Sequence, residues 1–417
     1  MAIDRREAVL AGLGAWAGAA VMAQAAPDPL AGAALYADVK TYSDLGEHRT
    51  GTAGDAATTV WLEKALQAAG YAVERQGFDY PVFELAHAGL KLGAREIAGF
   101  PYWSPATTPV GGLTGPLSLT PAPGKILVIS LPFGSGAGLN APPPKPISDG
   151  VASGAVAVIA ITQNPLGEMS VLNRTPKAAP WPVPVLLVAG REGAALHAAA
   201  EAGQAATLRL EGRTVTRTAE NVIGRRTRGG KHLVVSTPKS GWLHCAGERG
   251  SGVAIWLGLA RRLAATDHNV TLVATSGHEF DGYGGHIFTE TLAPKPADTK
   301  LWLHIGANVA VYDFALQDGK IVRQAGPRSD RLLACSDQLM ATAAKAFAGQ
   351  AGYETPFDID ERKPPGEVAL FQSLGYAPLI GMVAGNPLHH TPRDLADVTD
   401  GAMLEPVARG LWSLVSD

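Results

Sequence analysis

Two cysteines in 417 residues, Cys245 and Cys335, are too few for a disulfide framework and leave room for one bridge at most. Charged residues are only 18% of the chain, the net charge is -3, and no basic stripe is present, which argues against a nucleic-acid partner. Beyond the first two dozen residues no apolar run approaches the length needed to cross a bilayer. No internal repeat stands out, and no Gly-x-Ser-x-Gly elbow is present, so neither Ser240 nor Ser251 reads as a nucleophile of that kind. What the chain does have is a 46% apolar content, enough for one large globular unit or two smaller ones.

The N-terminus carries Arg5-Arg6, an Ala/Gly-rich apolar run to about Ala23, and the small-residue site Ala23-Gln24-Ala25. This reads as an export signal of twin-arginine type over residues 1–25, which places the mature protein in the periplasm or outside the cell, free of the membrane.

Residues 26–85 read as helix, loop, helix and strand, with Asp55 a cap for a helix carrying Trp61, Leu62, Ala65, Leu66 and Ala69 at helical spacing. Between 86 and 216, proline clusters alternate with β-branched runs at Lys125–Ile129, Ala155–Ile159 and Val183–Val188, the texture of a small β-rich insert. From 217 to 417 strands alternate with helices. Helices are expected near Ser329–Phe347, with Cys335 among their core positions, and near Glu367–Leu374; Asp318-Gly319 marks a hairpin. The sum is an α/β fold with a doubly wound, mostly parallel sheet interrupted by the insert.

The apolar strand Val270–Thr275 ends in Ser276-Gly277-His278-Glu279-Phe280-Asp281-Gly282, so ionisable side chains sit at the carboxyl edge of a sheet, where ligands bind in open α/β folds. With Leu45–Gly54, Thr218–Gly224, Gly250–Ala254 and His390-Thr391-Pro392-Arg393-Asp394, this stretch resembles the co-catalytic zinc aminopeptidases (family twenty-eight metallopeptidases), a scaffold shared with the glutaminyl cyclases and the transferrin-receptor ectodomain. The order of runs in the insert is similar to the protease-associated domain of that family. The resemblance equates Glu248 with the carboxylate bridging two metals, Glu279 with the second residue of a Glu-Glu pair and His390 with the C-terminal ligand. It implies that these three hold one metal, and carboxylate plus imidazole donors suit zinc.

The chain also departs from the pattern. His278 stands at the general-base Glu, His304 at an Asp ligand, and Ser236–Trp242 contains no ligand where the family has His-x-Asp. A two-metal enzyme is therefore excluded, leaving one zinc or none. Arg249, beside Glu248, can pair with that carboxylate and supply a cation's charge in the metal's place. Imidazoles at these positions suit proton transfer. The expectation is an exported hydrolase of amide-type bonds in small peptides or acylated amines. In it Glu248, Arg249, His278 and His304 form the catalytic group, and Trp242 and Tyr283 line the substrate pocket. His389 reads as a bystander because adjacent loop residues seldom both face inward. A non-catalytic binding protein on a metal-less scaffold and a metal-free His/Glu/Arg lyase or hydrolase are the alternatives.

Overall fold

The computed structural model describes residues 27–135, 138, 142–174 and 179–416; the export signal lies outside them. Among the described residues, no helix is long and apolar enough to cross a membrane. The strands Ala72–Leu92 and Ala205–Arg226 form an antiparallel ribbon, paired from Ala72 with Arg225 to Leu92 with Ala206. This ribbon is the spine of a sheet of thirteen strands. Its register shifts between Leu85 and His87, where the sequence pattern changes from body to insert. Both strands run through that point, so body and insert share one sheet.

On the body side the order is Ala205–Arg226, Asn269–Thr275, His232–Pro238, Thr299–Ile305, Leu379–Val383 and Leu332–Cys335. The middle four are mutually parallel. His232–Pro238 comes first in the chain and receives its successors on opposite sides, so the sheet's direction of growth reverses there. Such a reversal leaves a crevice at the carboxyl ends of the strands. The helix Ser251–Leu263 follows it and is buried all round except at Arg261 and Arg262, as befits a helix apolar on every face.

The insert has strands Ile126–Pro132, Ala157–Gln163 and Val185–Ala189 in parallel, with helices Lys145–Ala152 and Gly193–Glu201. It is fastened to the body by an aromatic core in which Trp242 meets Phe100, Trp103 and Phe280.

Two local expectations are corrected. Residues Leu332–Cys335 are a strand, not part of a helix, because Leu333 and Cys335 pair with Met382 and Ile380 on the sheet edge; the helix starts only at Met340. Pairing with strands on both sides overrides the helical preference of the leucines and alanine here. Cys335 and Cys245 are both free and buried. The helix Ala53–Ala68 is capped by Thr52, whose side chain accepts from the Asp55 N–H. Asp55 is instead the buried partner of Lys239, and both carboxylate and ammonium also bond Ser276 Oγ. Removing one member of a buried pair strands the other charge, which costs about 3–5 kcal/mol. Lys239→Met should therefore lower unfolding free energy by about that amount in urea titration; a loss under about 1 kcal/mol would show that water reaches Asp55.

Candidate active site

The segment after His232–Pro238 forms a π-turn, Ala246–Gly250, before the helix begins. Asp394 fixes it by accepting from the Gly247 N–H at 2.7 Å and the Glu248 N–H at 3.0 Å. The approach is so close that a Cβ on Gly247 would lie 2.6 Å from the Asp394 carboxylate. Glu248 and Arg249 are thereby turned into the interior, 0% and 1% exposed, with Arg249 Nη2 2.6 Å from Glu248 Oε1. Arg249 Nε donates to the Ser240 carbonyl at 3.0 Å. Neither Glu248 oxygen, nor Arg249 Nη1, has a hydrogen-bond partner. Burial works to raise the Glu248 pKa, but the Arg249 guanidinium, the foremost opposing cause, holds the carboxyl well below its usual range.

His389 and His390 both face Glu248, at 3.7 and 3.3 Å, with their rings stacked 3.8 Å apart. The expectation that His389 would point away fails because His390 takes a left-handed backbone, φ 60°, which swings both rings to one side. The insert fixes this geometry: Val171 donates its N–H to the His390 carbonyl and accepts from His390 Nδ1, each at 2.9 Å. His390 Nδ1 therefore carries a proton, and Nε2 is the atom facing Glu248. Asn308 Nδ2, anchored by the Ala384 carbonyl, donates to His389 Nδ1 at 3.1 Å. This leaves N–H on His389 Nε2. Burial and the neighbouring His390 depress the His389 pKa, so the ring is neutral.

A second group adjoins this one. His278 Nδ1 lies 3.0 Å from Glu367 Oε1, and His304 Nε2 lies 3.8 Å from Glu367 Oε2. Trp302 Nε1 donates to Ser236 Oγ at 2.8 Å, and the same hydroxyl is hydrogen-bonded to His304 Nδ1 at 2.9 Å. Burial alone would raise the Glu367 pKa, but the hydrogen bond from His278 and the charges of His278, His304 and Arg249 bring it to about 2. An ionised Glu367 accepts the Nδ1–H of His278, so Nε2 is the ring nitrogen turned away from the carboxylate. The His278 side chain is 12% exposed, whereas those of Glu367 and His304 are each 2% exposed.

The structure thus brings together Glu248, Arg249, His389 and His390, and beside them His278, His304 and Glu367. Glu279 is not among them: its oxygens accept from the Thr50 N–H at 2.6 Å and Ser240 Oγ at 2.9 Å, which ties the Leu45–Gly54 loop to the sheet edge. The expected set of Glu248, Glu279 and His390 is therefore not assembled. Trp242 is 1% exposed inside the aromatic core, its N–H donating to Asn173 Oδ1, whereas Tyr283 is 36% exposed on the surface. Cys245 is buried against the Tyr42 hydroxyl, and burial pushes its thiol pKa up, the opposite of what a nucleophile needs. His48 is a satisfied core residue, bonded to the Tyr42 carbonyl and Thr58. Glu367, 89 positions from His278, carries no motif of its own and was missed in the sequence. A pocket of about 140 Å³ opens over the first group, between Phe133, Val171 and Leu172 of the insert and Asn386, His389 and His390 of the body.

The fold is the architecture seen in a zinc aminopeptidase of solved structure. The structure is similar to BSAP, a zinc aminopeptidase from Bacillus subtilis, at 18% identity over 91% of this chain and 94% of that one, with a TM-score of 0.69. It is similar to an aminopeptidase from Aneurinibacillus sp. strain AM-1, at 18% identity, 91% and 92% coverage and TM-score 0.60. A peptidase M28 precursor from Shewanella amazonensis gives 14% identity, 91% coverage of both chains and TM-score 0.69. No family model matches the sequence, and no curated protein does.

Glu248, His389 and His390 can bring three ligand atoms within 4.8 Å of one another, a donor set of the zinc type. As arranged here they do not fit a resident metal. The Arg249 guanidinium already lies against the Glu248 carboxylate, and Asn308 donates into the His389 nitrogen nearest to it.

Burial holds His48 at about 3 and His304 at about 4, against an ordinary value of 6.5. On acidification the unfolded chain takes up these protons first, so stability rises with pH across that window and is lost as pH falls through it. Glu367, depressed to about 2, acts in the same sense below 4.5. Asp394, raised to about 7 by burial, acts in the opposite sense, but with His389 on their side these groups outweigh it, so the melting temperature should fall from about pH 7 to about pH 4; a flat profile would show that they do not.

Proposed function

We propose that the protein is an exported hydrolase of amide-type bonds in small peptides or acylated amines. In this reading the proton-transfer group is a histidine–glutamate pair. The observation that carries it is His278, part-exposed at the carboxyl end of its strand, with Nδ1 held by the buried Glu367 carboxylate at 3.0 Å. A base oriented by a buried carboxylate is the arrangement that general acid–base catalysis requires. His278 Nε2 takes a proton from the attacking water and returns it to the leaving nitrogen. Neutral His389, with N–H on Nε2 and its ring on the pocket wall, donates to the developing oxyanion. Phe133, Val171 and Leu172 close the pocket over this donor and suit a small apolar substrate group. Arg249 does not reach the pocket; its charge keeps Glu248 ionised and in place.

The peptidase scaffold of the structural neighbours supports the reaction class, and the Arg5-Arg6 signal supports export. The burial of Glu248 and Arg249 favours a second reading, a binding protein on a metal-less scaffold.

The deciding experiment is hydrolysis of a panel of aminoacyl and acyl anilides by the mature protein, with and without a chelator. Activity should survive chelation. His278→Ala should lower kcat by about 10²–10⁴-fold, the usual contribution of a positioned acid–base group. Glu367→Gln should lower kcat with KM little changed. Activity that chelation abolishes, or that His278→Ala retains in full, overturns this mechanism; no turnover across the panel supports the binding reading.

A further inference from the structure

The geometry points to Arg249 as a tethered cation that stands in for a metal ion and makes the Glu248 centre refractory to zinc. This inference stands on the buried cluster alone and does not require the protein to hydrolyse anything.

Three observations carry it. The Glu248 carboxylate is fully buried and both its oxygens lack hydrogen-bond partners, so its charge is compensated by Arg249 Nη2 at 2.6 Å. Such a carboxylate is costly unless a cation sits against it. The Val171 carbonyl commits His390 Nδ1 as a donor and turns Nε2, the ligand-type nitrogen, toward Glu248 at 3.3 Å. A hydrogen bond from a ligand histidine's other nitrogen to a backbone carbonyl is how metal-binding imidazoles are commonly fixed. Finally, the guanidinium is itself held by the Ser240 carbonyl through Nε, so it is a built part of the centre. Carboxylate, imidazoles and orienting carbonyl are all present, and the cation is a side chain.

It follows that shortening Arg249 should open a zinc site where the wild type has none. Arg249→Asn removes the charge and the bulk and leaves a polar side chain. The mature protein would be equilibrated with zinc chloride alone, and bound metal counted by elemental mass spectrometry after dialysis, with affinity from calorimetry. Arg249→Asn should retain one equivalent, at least about tenfold more tightly than the wild type, the scale on which outer-shell changes tune metal sites. Adding His390→Ala should remove it, and Arg249→Lys, which keeps the charge, should behave as the wild type. If the wild type binds one equivalent as tightly as Arg249→Asn, the proposal is overturned. It is equally overturned by a folded Arg249→Asn that binds none. Should Arg249→Asn fold only when zinc is supplied, that rescue supports the proposal; failure of zinc to restore the fold counts against it. Because the readout is metal content, the result does not depend on whether the anilide panel is turned over.

Discussion

The ion pair between Glu248 and Arg249 is the constraint around which the site is organised. Two charges taken wholly out of water are unfavourable unless each is compensated at close range. Here the compensation reaches outward through several elements. Asp394 holds the π-turn that presents the pair, Ser240 anchors the guanidinium, and Asn308 binds the Glu248 carbonyl with its backbone while steering His389 with its side chain. These residues come from the ends of different strands, so the pair requires the crevice at the sheet's reversal point to be closed to water.

The same low-dielectric interior explains the division of labour among the histidines. His48 and His304 are buried, hydrogen-bonded and neutral, and they serve packing and positioning. His278 combines a buried carboxylate on one nitrogen with a part-exposed ring. Exchange of carboxylates for imidazoles at a sheet edge thus does not yield a set of equivalent groups. Local burial and the hydrogen bond on the far nitrogen decide which of them can move a proton.

Much of this was legible in the sequence, for identifiable reasons. Strand ends followed at once by Gly and ionisable residues placed His278 at the sheet edge, and the three β-branched runs of the insert became its three parallel strands. The Glu248–Arg249 pair was readable because adjacent residues in a turn can meet. Glu367 was not, since nothing local marks a carboxylate that acts on a residue 89 positions away. The role of Glu279 was misread because a family position says nothing of Thr50 and Ser240, which claim its oxygens. His389 was set aside on a general rule about neighbouring side chains, and one left-handed residue undid that rule.

The long ribbon has a consequence for how the chain reaches this state. Ala72 meets Arg225, and Leu92 meets Ala206, so closing the ribbon joins segments more than a hundred residues apart. Contacts of such sequence separation are slow to form, because the loop entropy is lost before the pairing is gained. The insert lies wholly within that loop, and its strands border the ribbon directly. Excising the insert, or exchanging it for another module, would remove strands that border the ribbon and the Val171 backbone that orients His390.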